Sequence, residues 1–275
     1  MMGPSHAMSG AAAWLAASTL YAAETHTPLN GAVLVLGTTV AAGAALAPDL
    51  DNYSSTVVSA FGIVGKGVGR LVDALSVAIY NLTKSSREEV KDGGHRTFFH
   101  TAVAAVLAGV GVSLLTLSTA PAHIAGQSLT WGQVWSVLVM AVFLNLGLSG
   151  LFAKVITKYR AKYGPTAIMA LSIIAAIVTF YLLPEHNHQA YSWLGIAVGF
   201  GWFVHLLGDA ITKAGVPLFW PIRIHRKAWY DVSLPSIFRI TAGGAVETYL
   251  LLPIFTAVTF VLAVYDVAKF SGAVK

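Results

Sequence analysis

The stretch Ala190–Ile211, AYSWLGIAVGFGWFVHLLGDAI, decides how the chain must be read. It holds one histidine and one aspartate in an otherwise apolar, aromatic and glycine-rich run of helical length. About 20 such residues, rising about 1.5 Å each, cross a hydrocarbon core of about 30 Å. His205 and Asp209 lie four apart near one end, so a helix aims both from one face. An ionisable group at such depth costs at least about 2.5 kcal/mol unless a partner or a wet cavity receives it. The stretch is therefore a spanning helix and a functional candidate at once.

Six other segments are similarly apolar: Ser9–Ala23, Leu29–Ala47, Phe98–Ala120, Gln133–Phe152, Thr166–Leu183 and Val246–Val267. The first is short and spans only when extended back through His6. The 275 residues are 56% hydrophobic and 11% charged, with mean hydropathy +0.70. A soluble domain carries about 25% charged residues, so water is not the main solvent. The expectation is an all-α, polytopic membrane bundle of six or seven transmembrane helices, forming one domain over residues 1–275. Cysteine is absent, which excludes disulfides, thiolate zinc sites and Cys nucleophiles. The first basic residue is Lys66, so no cleavable targeting peptide is expected.

A net charge of +5 and a pI near 9.4 raise the question of nucleic acid. The distribution of charge gives a different account. Fifteen of the seventeen Lys and Arg fall in three regions, 49–96, 153–164 and 212–245, and the alternate loops 24–28, 121–132 and 184–189 have none. The positive-inside rule puts the three basic regions in the cytoplasm. Lys269 and Lys275 disagree, unless the last helix, interrupted by Pro253, stops short of a full crossing. No nucleic-acid partner is expected, and the location is a prokaryotic plasma (inner) membrane.

Within the first basic region, Val57, Phe61, Val64, Val68, Leu71, Leu75, Ala78 and Leu82 recur every three or four residues. Residues 57–83 thus read as an amphipathic helix on the membrane surface. Its Gly65-Lys66-Gly67-Val68-Gly69 run lacks the preceding strand and the Gly-Lys-Ser/Thr of a phosphate loop. The sequon at Asn81-Leu82-Thr83 reads as accidental in a cytoplasmic segment.

The remaining ionisable residues converge. His6 opens the first helix; Asp49 and Asp51 follow the second; His95, Arg96 and His100 open the third; His205 and Asp209 end the sixth; Glu247 opens the seventh. All fall at one face. Histidine and carboxylate ligands suit zinc, manganese or iron, three or four per ion. His95 and His100, five apart, cannot share a helix face, so His95 is expected on the incoming loop and His100 in the first turn. Asp49 and Asp51 point together only from turn or extended backbone after Pro48. Taken singly, each of these has an ordinary alternative as a cap or interfacial anchor.

His26, His123, His186 and His188 belong to the opposite loops, and His225 sits in a basic stretch. Glu24, Glu185 and Asp266 lie toward the opposite side, while Asp73, Glu88, Glu89 and Asp92 are expected to pair with nearby cations or water. The loop 213–245 interleaves Trp220, Arg223, Arg226, Lys227, Trp229, Tyr230 and Arg239 with proline. It reads as an interfacial belt or as a cationic rim for an anionic head group. Arg96 and Arg239 are the preferred phosphate contacts, with Arg223 a further substrate-binding candidate.

Pro48-Asp49-Leu50-Asp51, His95-Arg96-Thr97-Phe98-Phe99-His100 and His205-Leu206-Leu207-Gly208-Asp209, followed by Thr212, Gly215 and Trp220-Pro221, resemble the YdjM family of predicted membrane-bound metal-dependent hydrolases. The likeness extends over nearly the whole chain, with an early histidine, His6, and a late Gly-Gly-x-x-Glu element, Gly243 to Glu247. It departs at Asn52, where the family often has a histidine. The resemblance implies a distant relation to zinc-dependent phospholipases C and single-strand nucleases, and so phosphoester hydrolysis.

The resulting expectation is a divalent metal, zinc foremost, held by His6, Asp49, Asp51, His95, His100, His205 and Asp209. Glu247 or Asp51 would act as general base and Arg96 would stabilise developing charge. The substrate would be a membrane lipid or lipid-linked phosphate at the cytoplasmic face, with the amphipathic segment gating access. The alternatives are a divalent-ion or proton transporter and a scaffold with a structural metal clip. Gly195-x-x-x-Gly199 allows close helix contact, within the chain or between chains.

Overall fold

The computed structural model describes residues 1–27, 31–124, 126–182, 191 and 193–270. Ten helices and one small hairpin account for its regular elements: α1 (Gly3–Thr25), α2 (Gly31–Ala44), α3 (Thr56–Ala60), α4 (Gly62–Thr83), α5 (Ala102–Thr116), α6 (Trp131–Leu151), α7 (Ala153–Tyr163), α8 (Pro165–Leu182), α9 (Trp193–Ala210) and α10 (Leu252–Phe270). The hairpin pairs β1 (Pro121–Ile124) antiparallel with β2 (Gln127–Thr130), with Pro121 opposite Thr130. His186, His188 and Glu185, expected in an opposite loop, lie outside the described residues.

Local chemistry sets the boundaries. Pro4 stands in the first turn of α1, where its missing N–H costs nothing. Thr130 and Gln133 form a capping box at α6. Ser55 and Thr101 accept from the Val58 and Ala104 N–H groups to start α3 and α5. Gly164, at φ +79°, followed by Pro165, ends α7 and starts α8 at a bend of 116°. A π-turn over Glu247–Leu251 leads into α10 through Pro253, so the last helix continues past its proline.

The bundle buries small and aliphatic residues together with Trp14, Phe180 and Tyr191, and turns many large apolar side chains outward. Val40, Ala41, Ala44, Met140, Leu144, Leu194, Ala197 and Val198 form the main core. Leu171, Ile174, Val178 and Tyr181 of α8 and Phe260, Val261 and Val264 of α10 are exposed. Outward apolar faces of this extent suit a hydrocarbon solvent rather than water.

Among the described residues, four stretches are long and apolar enough to cross a membrane: Leu34–Asp51, Trp131–Leu151, Trp193–Ala210 and Glu247–Lys269. The bent α7–α8 pair makes a fifth if counted as one span. This is fewer than the six or seven expected. The segment Phe98–Ala120 falls short because Phe98–His100 winds as a 3-10 turn and leaves α5 with only 15 residues. The helix containing Ser9–Ala23 has 23 residues but includes Ser5, His6, Ser9, Ser18 and Thr19, which lower its hydropathy.

Helices approach closely at glycines. A Cβ on Gly43 would stand 2.2 Å from the Phe143 carbonyl oxygen, and one on Gly201 2.2 Å from that of Ala41. These contacts lock α2 against α6 and α9 in the small-residue manner of membrane bundles. Gly195 and Gly199 likewise face Gly109 of α5, so that motif packs within the chain.

The amphipathic segment is broken at Phe61–Gly62, where Gly62 has φ +57°. Beyond the break, α4 turns Gly65, Gly69, Ser76 and Tyr80 inward and Ile63, Val64, Val68, Leu71, Leu75 and Leu82 outward. Gly69 packs over the Leu50 carbonyl of the Asp49–Asp51 turn and Gly65 over the Val58 carbonyl, while Gly67 faces open space. Lys66 and Arg70 stand over the Tyr53 ring at 5.7 and 5.8 Å.

Two acids expected to meet cations or water are structural instead. Asp73 accepts from the Gly94 N–H at 2.7 Å, holding the approach to His95. Glu88 is buried and accepts from the N–H groups of Ser85, Trp229 and Ala228 at 2.7, 2.6 and 3.2 Å. Burial alone pushes the Glu88 carboxyl up, but those donors outweigh it and hold it below the usual carboxylate range.

Two outcomes follow for stability in detergent. Gly43→Leu should lose about 1–3 kcal/mol or more through overpacking, whereas Gly67→Ala, with open space at its Cβ, should gain up to about 1 kcal/mol. Thermal unfolding measures both. Because the folded carboxyl of Glu88 is depressed, its stabilisation is present above the unfolded carboxylate range and is lost as pH falls through the folded value. Limited proteolysis of the 84–94 and 225–230 loops should therefore quicken on acidification, and Glu88→Gln should already show that susceptibility at neutral pH.

Candidate metal centre

Seven ligand-type side chains gather at one end of the bundle. Asp49, Asp51, His95 and His100 form one group and His6, His205 and Asp209 another, each able to hold a metal ion with ligand atoms within 4.8 Å of one another. The groups meet where His100 Nε2 lies 3.2 Å from His205 Nε2.

The backbone explains each placement. His205 and Asp209 share the inward face of the last two turns of α9 and approach to 3.8 Å. The 3-10 turn Ala47–Asp51 lets Asp49 and Asp51 address the two nitrogens of one ring. Asp49 Oδ1 lies 3.6 Å from His100 Nε2, and Asp51 Oδ2 lies 3.3 Å from His100 Nδ1. His95 comes from the incoming turn, its Nδ1 2.9 Å from Asp51 Oδ1 and its ring perpendicular to His100 at 5.2 Å. His6, in the first turns of α1, stacks on His205 with ring centroids 3.8 Å apart.

Proton positions follow from acceptor chemistry. The Ala45 carbonyl can only accept, so His205 Nδ1, 2.8 Å away, carries the hydrogen and Nε2 keeps the free lone pair. That carbonyl is one of the unpaired acceptors at the end of α2. The lone pair points toward His100 Nε2, Asp49 Oδ1 at 3.8 Å and Asp209 Oδ2 at 3.8 Å. Asp209 Oδ2 is also 3.8 Å from His100 Nε2.

Four donor atoms from three elements thus stand 3.2–3.8 Å apart in the five pairs described. Ligands about 2.0–2.2 Å from a tetrahedral ion stand roughly 3.3–3.6 Å from each other, so His100, His205, Asp49 and Asp209 fit a zinc-sized ion. Two further observations agree. His6 Nδ1 and Nε2, His100 Nδ1 and Asp51 Oδ2 are buried without an aligned hydrogen bond. Three aspartates and four histidines also converge at this end of an apolar bundle, a donor set of the kind that holds a divalent ion.

Arg96 has φ +57°, a left-handed backbone unusual outside glycine. Its guanidinium pairs with Asp209 Oδ2 at 2.8 Å and donates to Thr212 Oγ1 and the Gly215 carbonyl, each at 3.2 Å. Asp209 Oδ1 faces His6 Nε2 at 3.2 Å and also contacts the Met1 nitrogen.

Other candidates stand apart. Glu247 is buried, but its two oxygens accept from the Met2 N–H at 2.6 Å and the Gly243 N–H at 2.8 Å, tying α1 to the start of α10. Arg239 is exposed and donates to the Leu234 carbonyl; Arg223 is exposed too, and neither pairs with a cluster side chain among the described residues. His225 packs against Tyr230. Asn52 accepts from the Ser54 N–H and hydroxyl, outside the cluster. The Ala45 and Gly215 carbonyls and Asp73 are supporting groups that carry no side-chain signature of their role.

A family model described as YdjM inner membrane protein matches residues 1–160 and 166–269. The chain belongs to the YdjM family. No curated protein and no solved structure matches it. The cluster of this YdjM protein draws on both matched segments, with His6 to His100 in the first and His205 and Asp209 in the second.

Metal analysis of purified protein checks the site. His100→Ala and His205→Ala should each abolish stoichiometric zinc binding. Glu247→Gln should keep the metal while lowering stability by about 1–3 kcal/mol, through weakened bonds to Met2 and Gly243.

Proposed function

We propose that the chain is a membrane-embedded metal-dependent hydrolase acting on a phosphoester of a lipid or lipid-linked substrate at the cytoplasmic face. The observation that carries this reading is the tetrad of His100, His205, Asp49 and Asp209, set beside a guanidinium at the end of a membrane bundle. His and carboxylate donors suit zinc, and with three of the four on the ion the remaining position would take a water or substrate oxygen. A bound divalent ion would supply Lewis acidity, lowering the pKa of water toward about 7 and polarising a phosphoryl oxygen.

The chain's own residues do the rest. The Ala45 carbonyl fixes the His205 tautomer, and Asp51 orients the His100 ring from its Nδ1 side. Arg96, partly exposed, offers N–H donors to the phosphate and to charge that develops on its oxygens. Proton transfer falls to the pair of Asp51 and His95. His95 is the most exposed side chain of the cluster, and Asp51 holds its Nδ1, leaving Nε2 free to exchange a proton at the mouth of the site. Glu247, with both oxygens engaged by backbone N–H groups, positions α1. The basic regions flanking the spans support a cytoplasmic site.

Purified protein in mixed micelles tests the reading. Phosphate or phosphoester release from anionic phospholipids and polyprenyl phosphates should require metal, stop on chelation and return with zinc. His95→Gln should retain zinc while lowering kcat about 100-fold or more. Tight metal without turnover across the panel would favour a structural clip, and absence of bound metal would remove the proposal. A reporter fused within 153–164 should read as cytoplasmic.

A further inference from the structure

A groove of about 460 Å³ runs between α1, α9 and α10. Its floor is made of small residues, including Ala12, Ala16 and Gly208, and its walls of Leu207 on α9 and Ile254 and Val258 on α10. The lining is almost wholly apolar, and the three wall residues are each well exposed. The small side chains of α1 create the space: larger ones would bring α10 out or fill the channel. The groove follows α1 from Ser9 to Ala16, about 10 Å of helix, and Ala16 lies about 15 Å along the axis from His6.

One end of this groove reaches the cluster. A Cβ on Gly208 would stand 2.9 Å from Met1 Sδ and 3.2 Å from the His6 ring, so only the thickness of one glycine separates groove from imidazole. Gly208 also lies between the tetrad members His205 and Asp209 in sequence. Other grooves lack this continuity. One between α5 and α9 is bounded by Ala105 and Phe203, and one at the far end of α1 includes Asp266 and Lys269 in its lining.

We propose that the α1–α9–α10 groove binds one alkyl chain of a phosphate-bearing lipid, whose phosphate then lies at the His6–Asp209 side of the cluster. The proposal deepens the hydrolase reading and rests on it for the position of the phosphate. An amphiphile with a single anionic head suits this arrangement: an apolar channel along the spans, with Gly208 of its lining packed against His6 and Met1 of its lining touching Asp209. Sites that take a small molecule commonly fall in this range of volume and combine an apolar lining with few convergent polar groups. A straight chain needs no polar partner along the groove, and Ser9, the one hydroxyl in the lining, already donates to the His6 carbonyl.

The test uses the full chain in nanodiscs and dodecyl phosphate carrying a diazirine near the chain end. After irradiation, mass spectrometry should locate label on the α1 and α10 peptides bearing Ala16 and Val258. Ile254→Trp, at a wall position 46% exposed and so free of the packed core, should reduce that labelling at least tenfold with zinc content and unfolding temperature unchanged. Ala16→Leu should do the same from the floor. Label spread as heavily over the outward faces of α5 and α8, or undiminished in both variants, would overturn the proposal. So would inter-chain crosslinks from a photoreactive residue at position 258, which would mean that a second copy fills the groove. Labelling requires no turnover. Groove labelling without metal-dependent phosphate release would fail the hydrolase reading alone, and release without groove labelling would fail this one alone.

Discussion

The hydrogen bond from His205 Nδ1 to the Ala45 carbonyl is the contact on which the site depends. It requires the end of α2 and the last turns of α9 to touch, and Gly201 against the Ala41 carbonyl permits that approach. A helix end buried in an apolar bundle leaves carbonyls that need donors. Here a histidine supplies one, and in doing so commits its other nitrogen to the centre. The same approach brings the Asp49–Asp51 turn, which continues directly from α2, within reach of His100. Helix packing, backbone satisfaction and ligand orientation are thus one arrangement.

Solvent explains the rest of the architecture. With hydrocarbon outside, the large aliphatic residues gain nothing by turning inward, and close packing falls to glycine and alanine. Ionisable groups can then survive only where they meet one another or water, and they have done so at the ends of helices. The helix α4 lies against that end with Gly69 on the Leu50 carbonyl and its leucines outward. The arrangement makes a membrane-surface element part of the wall behind two aspartates.

On the proposed function, a site so placed would take an amphiphile, its phosphate meeting Arg96 and the tetrad while its chain stays among the spans. Gly208, which lines the groove, packs on His6 of one ligand group, whereas the exposed His95 meets Asp51 in the other. Substrate delivery and proton exchange would then use different sides of the cluster.

Much of this was legible in the chain. Apolar runs and the scarcity of charge determined a membrane bundle, and the i to i+4 spacing of His205 and Asp209 determined a shared face, because both follow from local periodicity. The convergence of His6, the two aspartates and His95 to His100 also followed, since all sit at helix ends of like orientation. Tertiary structure decided what local pattern could not carry. The 3-10 turn at Phe98 shortened an expected span, and the turn at Gly164 set α7 and α8 at a bend of 116°. Glu247 has the residue type of a base, yet its two oxygens accept from the N–H groups of the nearby Gly243 and of Met2 at the far end of the chain, which ties α1 to the start of α10. Glu88 and Asp73 looked like solvated charges until their partners across the fold were present. In each case the deciding partner is a backbone carbonyl, an N–H group or a packed glycine. Such groups occur in every residue, so only the folding of the chain selects which of them a side chain meets.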